Sequence, residues 1–467
     1  MRFKAALLVF VFYALAILKA DAQFSLYNSK TLYDSFENPV VKAFKTDTTR
    51  KFAFNFFIPN FSTNLAASGD AQFTFKTLLA KQAYTAQNLT LGENRINTIL
   101  FNTNVYLLMF RLHKTVQYDR EMGFAWQVRS DTRMDVTNET LGLLDDTRRF
   151  TADRYSDLFN NKGVNQNYHQ FSFTYREDYN SRLGFGVKLS YISGIAYNKL
   201  KIDSSAISIN RESNSYNLFL DGQFRSNLAY DNVSKKTAYP GFKNPGFAIT
   251  ASAAVRPGNN WYILGNLKDI GFIKWSKNSY VYKFHNSIKA TNANTGDKID
   301  SLVTSNFQQK SFTSLLNGKA EILVNKNLGA YQPNFFISKN LFYRSADIGL
   351  INNLTFGRFN GSISTVYNTD DIFQFGGMGM LRWPNFEFYL GTDQLFKTYR
   401  TTKAVLQSNN VFGSGYTGAS VYLGFSVKFG PDMEHPANAN TIPGVEIISD
   451  GQQRPGFFGR LFGRRSK

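Results

Sequence analysis

Cysteine is absent from this chain of 467 residues, so no disulfide can staple it. After residue 18, no apolar run approaches the roughly 20 residues that a spanning helix needs. Any further membrane contact must therefore come through strands or a surface helix. Histidine is scarce: His113, His169, His285 and His435 stand apart, without metal-ligand spacing. A Gly-x-Ser-x-Gly elbow and a Walker loop are missing, and Gly184-x-Gly186 falls inside a strand pattern, where it marks close packing rather than phosphate binding. The acid pairs Asp145-Asp146 and Asp370-Asp371 read as turn residues, because neighbours on a strand face opposite ways. No catalytic residue, metal or cofactor is expected. An enzyme whose residues meet only in space ranks third among the functional readings.

The one long apolar run is at the start. Arg2 and Lys4 precede an uncharged stretch from Ala5 to Leu18, and Ala20-Asp21-Ala22 supplies small residues around a cut before Gln23. This reads as a secretory signal peptide over 1–22, with export through the Sec pathway. The remaining chain, about 445 residues, suits a large barrel with long loops. Without disulfides, a backbone ladder closed on itself would hold it together. The 45 Phe and 25 Tyr are enough for aromatic girdles at two lipid–water interfaces. The formal net charge of +19 is spread along the precursor, which points away from nucleic acid and towards lipid phosphates, an anionic solute, an acidic partner or merely solvated loops.

The stretch from Thr417 to Gly430 shows the underlying period. Ala419, Val421, Leu423, Phe425, Val427 and Phe429 alternate with Ser420, Tyr422, Gly424, Ser426 and Lys428. Strict alternation is the signature of a strand between two different media. From Arg182 to Tyr191, Leu183, Phe185, Val187, Leu189 and Tyr191 face one way, and Gly184, Gly186, Lys188 and Ser190 the other. Lys188 and Lys428 would be costly in a packed core, whereas a wet lumen accepts them.

Further candidates begin with Arg50 to Pro59, Gln72 to Leu79, Ile99 to Leu112, Phe124 to Arg129, His169 to Asp178 and Tyr216 to Phe224. They continue with Phe247 to Val255, Trp261 to Leu267, Phe272 to Phe284, Gly318 to Val324, Phe335 to Leu341 and Asn353 to Phe359. Ile363 to Tyr367, Gly376 to Trp383 and Glu387 to Thr392 complete the series.

The expected fold is an all-β, antiparallel transmembrane β-barrel of roughly 14 strands, an even number that leaves both ends in the periplasm. Thr140 to Asn160 carries Leu144, Phe150, Tyr155 and Leu158 at helical spacing and reads as a helical insertion at one barrel end. Thr291 to Ser311 reads as a long external loop. Residues 431–467 hold four of the eleven prolines and end in a basic, aromatic peptide; a disordered tail is expected there. The division is thus 1–22 signal peptide, 23–50 N-terminal periplasmic or plug segment, 51–430 outer-membrane β-barrel, and 431–467 periplasmic Pro-rich basic tail.

Three short patterns add a resemblance. Tyr422, Gly424, Val427 and Phe429 resemble the assembly signal that outer-membrane barrels carry on their last strand, which implies the barrel assembly machinery as a partner. Asn266 to Trp275, Asn94 to Leu112 and Leu183 to Ala196 resemble segments of an uncharacterised Bacteroidota outer-membrane β-barrel family, FadL-like and PorV-like in style. Glu37 to Phe44 resembles a degenerate form of the Asn-Pro-Ala segment near the start of FadL-like barrels, with Val40 in place of the alanine.

The resemblance implies the Gram-negative outer membrane, contact with membrane lipid and lipopolysaccharide, and passive transport of hydrophobic or amphipathic small molecules. The rival reading is a non-transporting membrane subunit or anchor of a surface or secretion assembly, with the C-terminal tail docking a periplasmic or secretion-system protein. An interior packed by its own side chains would count against transport.

Overall fold

The structure is a computed structural model that describes residues 28–43, 50–115, 120–228, 240–291, 294–383, 385–409 and 417–432. The expected signal peptide and the tail beyond residue 432 lie outside the described residues.

The alternating segments form strands. In chain order they are β1 (Arg50–Phe54), β2 (Asn60–Ser68), β3 (Ile96–Thr115), β4 (Arg120–Thr137), β5 (Arg154–Ser156), β6 (Lys162–Asp178), β7 (Leu183–Asn210), β8 (Ser215–Ser226), β9 (Pro245–Gly258) and β10 (Trp261–Trp275). There follow β11 (Tyr280–Thr291), β12 (Phe307–Gln309), β13 (Phe312–Leu315), β14 (Lys319–Lys326), β15 (Tyr331–Asn340), β16 (Ala346–Phe356), β17 (Phe359–Asn368), β18 (Ile372–Trp383), β19 (Phe386–Thr392) and β20 (Gly418–Asp432). β1 and β2 both pair with β3 on one side and β20 on the other, so they are one wall strand, broken where Phe56 and Phe57 take positive φ. β13 and β14 likewise share the edge of β10. Pairing of the first wall strand with β20 closes an antiparallel barrel of 14 strands.

Short turns join β6 to β7, β9 to β10, β16 to β17 and β18 to β19, and the end of the barrel that carries them also holds Arg50 paired with Asp432. Short turns mark the periplasmic end and long loops the extracellular end. From the latter rise helices α2 (Gln72–Lys81), α3 (Asn138–Asp145), α4 (Thr295–Thr304) and α5 (Leu395–Leu406), α1 (Leu32–Glu37) being inside the barrel.

The wall also grows upward. β7 runs for 28 residues, about 90 Å if fully extended, far beyond the roughly 25 Å apolar band of a barrel. Its first half pairs with β9 in the wall, and its second half pairs with β8, which pairs with β11. This outer sheet has its own core, where Phe150, Phe159, Ile207, Leu218, Phe284 and Leu302 pack together.

The two faces of the wall segregate as alternation requires. Phe173, Leu189, Phe247, Ile322, Phe335 and Ile363 look outward and are exposed, while Ser172, Thr174, Lys188, Ser190, Thr250 and Ser338 look inward and are buried. On β20, Ser420, Tyr422, Ser426 and Lys428 are buried, whereas Val421 and Phe429 are exposed. Hydrocarbon covers the first set, since bare in water these side chains would cost on the order of 1.5–3 kcal/mol each.

Several expectations are corrected. Gln72 to Leu79 is helical: α2 occupies it, with Thr74, Thr77, Leu78 and Ala80 buried along one side. Tyr216 to Phe224 is a strand but belongs to the outer sheet, and Phe272 to Phe284 is split between β10 and β11 by a turn at 276–279. Thr140 to Asn160 is helical only in α3 and a short 3-10 turn, then becomes β5; its apolar residues serve the outer core in either conformation. The external loop Thr291 to Ser311 contains α4, which buries Ile299 and Leu302.

Candidate functional site: a plugged lumen

The interior is organised by an irregularity in β10. Its ladder with β9 slips between Leu267 and Ile270, and Asp269 has a φ of 50°. A bulge of this kind re-aims side chains. Lys268 and Asp269, which strict alternation would send to opposite faces, are both buried inside. The Asp269 carboxylate accepts hydrogen bonds from Arg129 and from Gln170 (3.0 Å) and pairs with Lys188 at 3.1 Å. Lys188 is thus neutralised by a carboxylate rather than by lumenal water. Lys428 is treated in the same way, 3.8 Å from Glu387.

Residues 28–43 cross this lumen. Thr31 caps α1 by accepting from the Asp34 backbone N–H at 3.1 Å. Tyr33 meets Tyr106 edge-on at 5.2 Å, and Phe36 lies under the Arg111 guanidinium at 5.6 Å. The Leu32 N–H donates to Glu387 on β19 (2.7 Å), and the Val40 N–H donates to Ser252 on β9 (2.9 Å). Arg111 on β3 donates to the Ser35 carbonyl (2.6 Å), and Arg176 on β6 donates to that of Val40 (2.8 Å). Gly186 on β7 makes room for the segment, since a Cβ there would collide with the Pro39–Val40 peptide. The segment is therefore tied to β3, β6, β9 and β19 and packed against β7.

Glu37 is the central tie. It accepts from Asn104 and Tyr106, each at 2.7 Å, and forms an ion pair with Lys268 of the bulge. Burial alone would raise its pKa, but Lys268, Arg129 and Lys188 hold the carboxyl well below the usual range. Asp34, one turn earlier, has the opposite balance. Burial pushes its pKa up to about 6, although Asn38 (2.9 Å) and the Lys30 N–H (3.0 Å) donate to it.

Outside the plug, the described residues line a pocket of about 80 Å³, with Arg129, Asp131, Lys319, Glu321, Asn340 and Gln374 in its walls. Such a volume holds a handful of water molecules. Its lining is charged and amide-rich.

The residues singled out from sequence are dispersed. Tyr422 and Gly424 face inward on β20: the Tyr422 ring covers Gly391 on the neighbouring strand, and the Tyr389 ring covers Gly424 in return. Val427 and Phe429 face out, and Phe429 joins Phe52 and Phe56 in an aromatic cluster at the periplasmic end. The segment beginning at Glu37 enters the lumen, where Val40 packs into the apolar side of the plug contact. Asp145 accepts from the Ala86 N–H and Asp146 from that of Arg148, while Asp370 pairs with Arg133 and Asp371 accepts from the Tyr367 hydroxyl. His113 lies 3.6 Å from Glu121, His169 accepts from Trp126, His285 pairs with exposed Asp221, and His435 is outside the described residues.

Sequence reasoning missed Glu37, Lys268 and Asp269. The available signal was a Lys-Asp pair inside an otherwise alternating strand, which is the mark of a bulge.

A closed antiparallel wall, apolar outside and polar within, with the chain's own N-terminal segment across the lumen, defines a plugged transmembrane β-barrel. The chain belongs to DUF5723, a family of unknown function whose profile matches residues 43–393. No curated protein matches it in sequence. Among solved structures it is similar to the P. putida toluene transporter TodX (6% identity, 85% of this chain and 92% of that one, TM-score 0.40). It is also similar to a Pseudomonas aeruginosa FadL homologue (9%, 85% and 94%, TM-score 0.40). A third is the translocator domain of the autotransporter NalP from Neisseria meningitidis (9%, 87% and 100%, TM-score 0.35). At these values the likeness does not bear on what the protein carries.

Proposed function

We propose that this protein is a closed outer-membrane barrel that works as a non-transporting anchor, carrying its outer sheet on the cell surface as a subunit of a surface or secretion assembly. The supporting observation is the plug: residues 28–43 are bonded to β3, β6, β9 and β19, and the pocket beside them is about 80 Å³. A hydrocarbon or amphipathic solute meets there a small space in which Leu100, Val164 and Tyr343 are outnumbered by charged and amide groups, whose desolvation it cannot repay. The outer sheet, with a core independent of the barrel, is the part built to meet a partner.

A second reading has one observation in its favour. Besides the apolar packing of Leu32, Phe36 and Val40, the plug is held by many polar contacts, which water can replace, so its displacement would open a largely polar lumen. This is the form in which the transport expectation survives, with polar rather than hydrophobic cargo.

Swelling of liposomes carrying the intact protein, with neutral solutes of graded size and polarity, separates the two readings. The anchor reading expects no permeability above protein-free liposomes and a stoichiometric partner after gentle detergent extraction. Steady uptake of any of these solutes above the protein-free level would overturn it, and uptake of polar solutes would favour the second reading.

A further inference from the structure

On the extracellular side of the plug the lumen narrows to the pocket of about 80 Å³, with Tyr33 and Glu37 of the plug among its lining. Its charged groups fall into two sets. Glu37 is bound to Lys268 and Arg129 to Asp269, Arg133 pairs with Asp370 at 2.7 Å, Glu321 accepts from Asn266 at 3.2 Å, and Asp347 accepts from Asn368 at 2.6 Å. Each of these has a partner within the protein.

Asp131 and Lys319 form the second set. Both are half-buried in the pocket wall, and among the described residues neither makes a hydrogen bond or an ion pair. They stand on separate parts of that wall. Asp131 lies towards the end of β4 that leads into α3, Lys319 is the first residue of β14, and β6, β7, β9 and β10 come between the two strands round the barrel. Asp131 is close enough to feel the charge of Lys319. A carboxylate and an ammonium thus face one polar space, attracted across it without touching.

Amide oxygens complete the lining. Gln374 is 5% exposed, and its Oε1 has no hydrogen-bond partner among the described residues; the buried Oδ1 atoms of Asn317 and Asn340 have none there either. Asn340 lies directly opposite Lys319 in the β14–β15 ladder, and Asn317 stands just before β14. A buried acceptor without a donor is costly, and three around one space mark a place where donors come from outside the protein.

We propose that this pocket binds a small zwitterion, an α-amino acid of about the size of serine, with its carboxylate on the Lys319 ammonium and its ammonium on the Asp131 carboxylate. The amide oxygens of Gln374, Asn317 and Asn340 accept from its remaining ammonium and hydroxyl hydrogens. Charge decides the class. A simple anion answers Lys319 and is repelled by Asp131, a simple cation meets the reverse, and water satisfies the amides but brings no charge to either residue. Volume decides the size: at about 10–15 Å³ for each water-sized atom, the pocket takes roughly five to eight non-hydrogen atoms. The site belongs to the closed barrel, so binding depends neither on movement of the plug nor on what the outer sheet meets.

Isothermal titration calorimetry of the full chain in detergent tests this, with L-serine, ethanolamine, glycolate and glycerol as probes. Ethanolamine keeps the ammonium of serine and lacks its carboxylate, and glycolate keeps the carboxylate and lacks the ammonium. Serine should bind at least tenfold more tightly than either, because linking the two charges makes the second contact intramolecular. Glycerol should bind least. Lys319→Met and Asp131→Asn should each weaken serine binding at least tenfold, the first shifting preference towards ethanolamine and the second towards glycolate. Lys289→Gln, at an exposed cation of the outer sheet, should change nothing.

Absence of serine binding at millimolar concentration, serine binding no tighter than that of ethanolamine or glycolate, or undiminished serine binding in either pocket variant would each overturn the proposal. The ranking of probes is read on the unaltered chain and needs no variant. Both pocket variants should fold, since neither side chain has a protein partner to lose, and heat-modifiable migration checks this. If one fails to fold, the other decides; if both fail, the two groups are tied into the wall and the proposal falls.

Discussion

At the scale of single residues, the plug depends on one missing side chain and two carboxyls. Gly186 lets the Pro39–Val40 peptide lie against β7, and Gly186→Val should expel that peptide while leaving the wall ladder in place. Hydrogen exchange should show faster amide exchange at 38–41 with unchanged protection of β7 and β9. Glu37 and Lys268 form a buried pair, and removing one partner leaves an uncompensated charge. Glu37→Gln and Lys268→Gln should each weaken plug docking by about 3–5 kcal/mol. The double variant should lose much less than the sum, a coupling that a double-mutant cycle on plug protection would measure.

Asp34 makes docking depend on pH. Between its ordinary value of 3.8 and about 6, the docked segment holds a proton that the undocked segment has released, so docking is strongest at low pH and weakens as pH rises through about 6. The difference in pKa corresponds to roughly 3 kcal/mol. Glu37 acts in the opposite sense, because its depressed pKa contributes stability that is lost as pH falls below the ordinary 4.5. Plug protection should therefore peak near about pH 4–5. In Asp34→Asn the decline between pH 5 and 7 should vanish while the loss at lower pH remains.

At the scale of elements, the sequence disclosed whatever obeys a period and concealed whatever interrupts one. The two-residue alternation of 183–191 and 419–429 located those strands and their faces, because lipid on one side and a polar interior on the other impose it without exception. The same pattern could not say whether a strand stays in the wall, so Tyr216 to Phe224 looked like a wall strand although it packs on a protein core. α2 was misread because Phe73, Phe75 and Leu79 also alternate, and only tertiary packing of Thr74, Thr77 and Leu78 decides for helix. The sequence marked residues 37–44 only through a resemblance, and the partners of Glu37 were not legible, since it meets Lys268 at a separation of 231 positions (268 − 37).

α5 was not anticipated at all. Its role as a substitute strand edge rests on Thr398, whose hydroxyl meets both the N–H and the carbonyl of Ser420. Thr398→Val should leave the Ser420 backbone groups unsatisfied at a cost of about 1–3 kcal/mol. Local exchange at Ala419–Val421 should rise accordingly, with no change at Phe425–Val427, where β19 supplies the partner.

At the scale of the whole molecule, wall and plug draw on different interactions. The wall is held by continuous antiparallel ladders from β3 round to β20, none of which uses residues 28–43. The plug is held by side chains of the inner face: Glu387, Ser252, Arg111, Arg176, Asn104 and Lys268. Deleting residues 28–43 should therefore leave a barrel that still assembles and migrates as a compact, heat-modifiable species. It should be less stable, because Lys268 loses Glu37 and the Arg111 and Arg176 guanidinia lose carbonyl acceptors. Water entering the lumen would resolvate these groups and offset part of that cost. In a planar bilayer the intact chain should stay closed, and the deletion should conduct small ions, because the inner face left behind is lined by Arg129, Lys188, Asp269 and Glu321. Addition of a peptide spanning residues 28–43 should reduce that current, more effectively at pH 5 than at pH 7 because Asp34 docks protonated. A deletion that remains as closed as the intact chain would place the seal in the strand wall or the extracellular loops, and the plug would then be a stabilising brace rather than the part that closes the barrel.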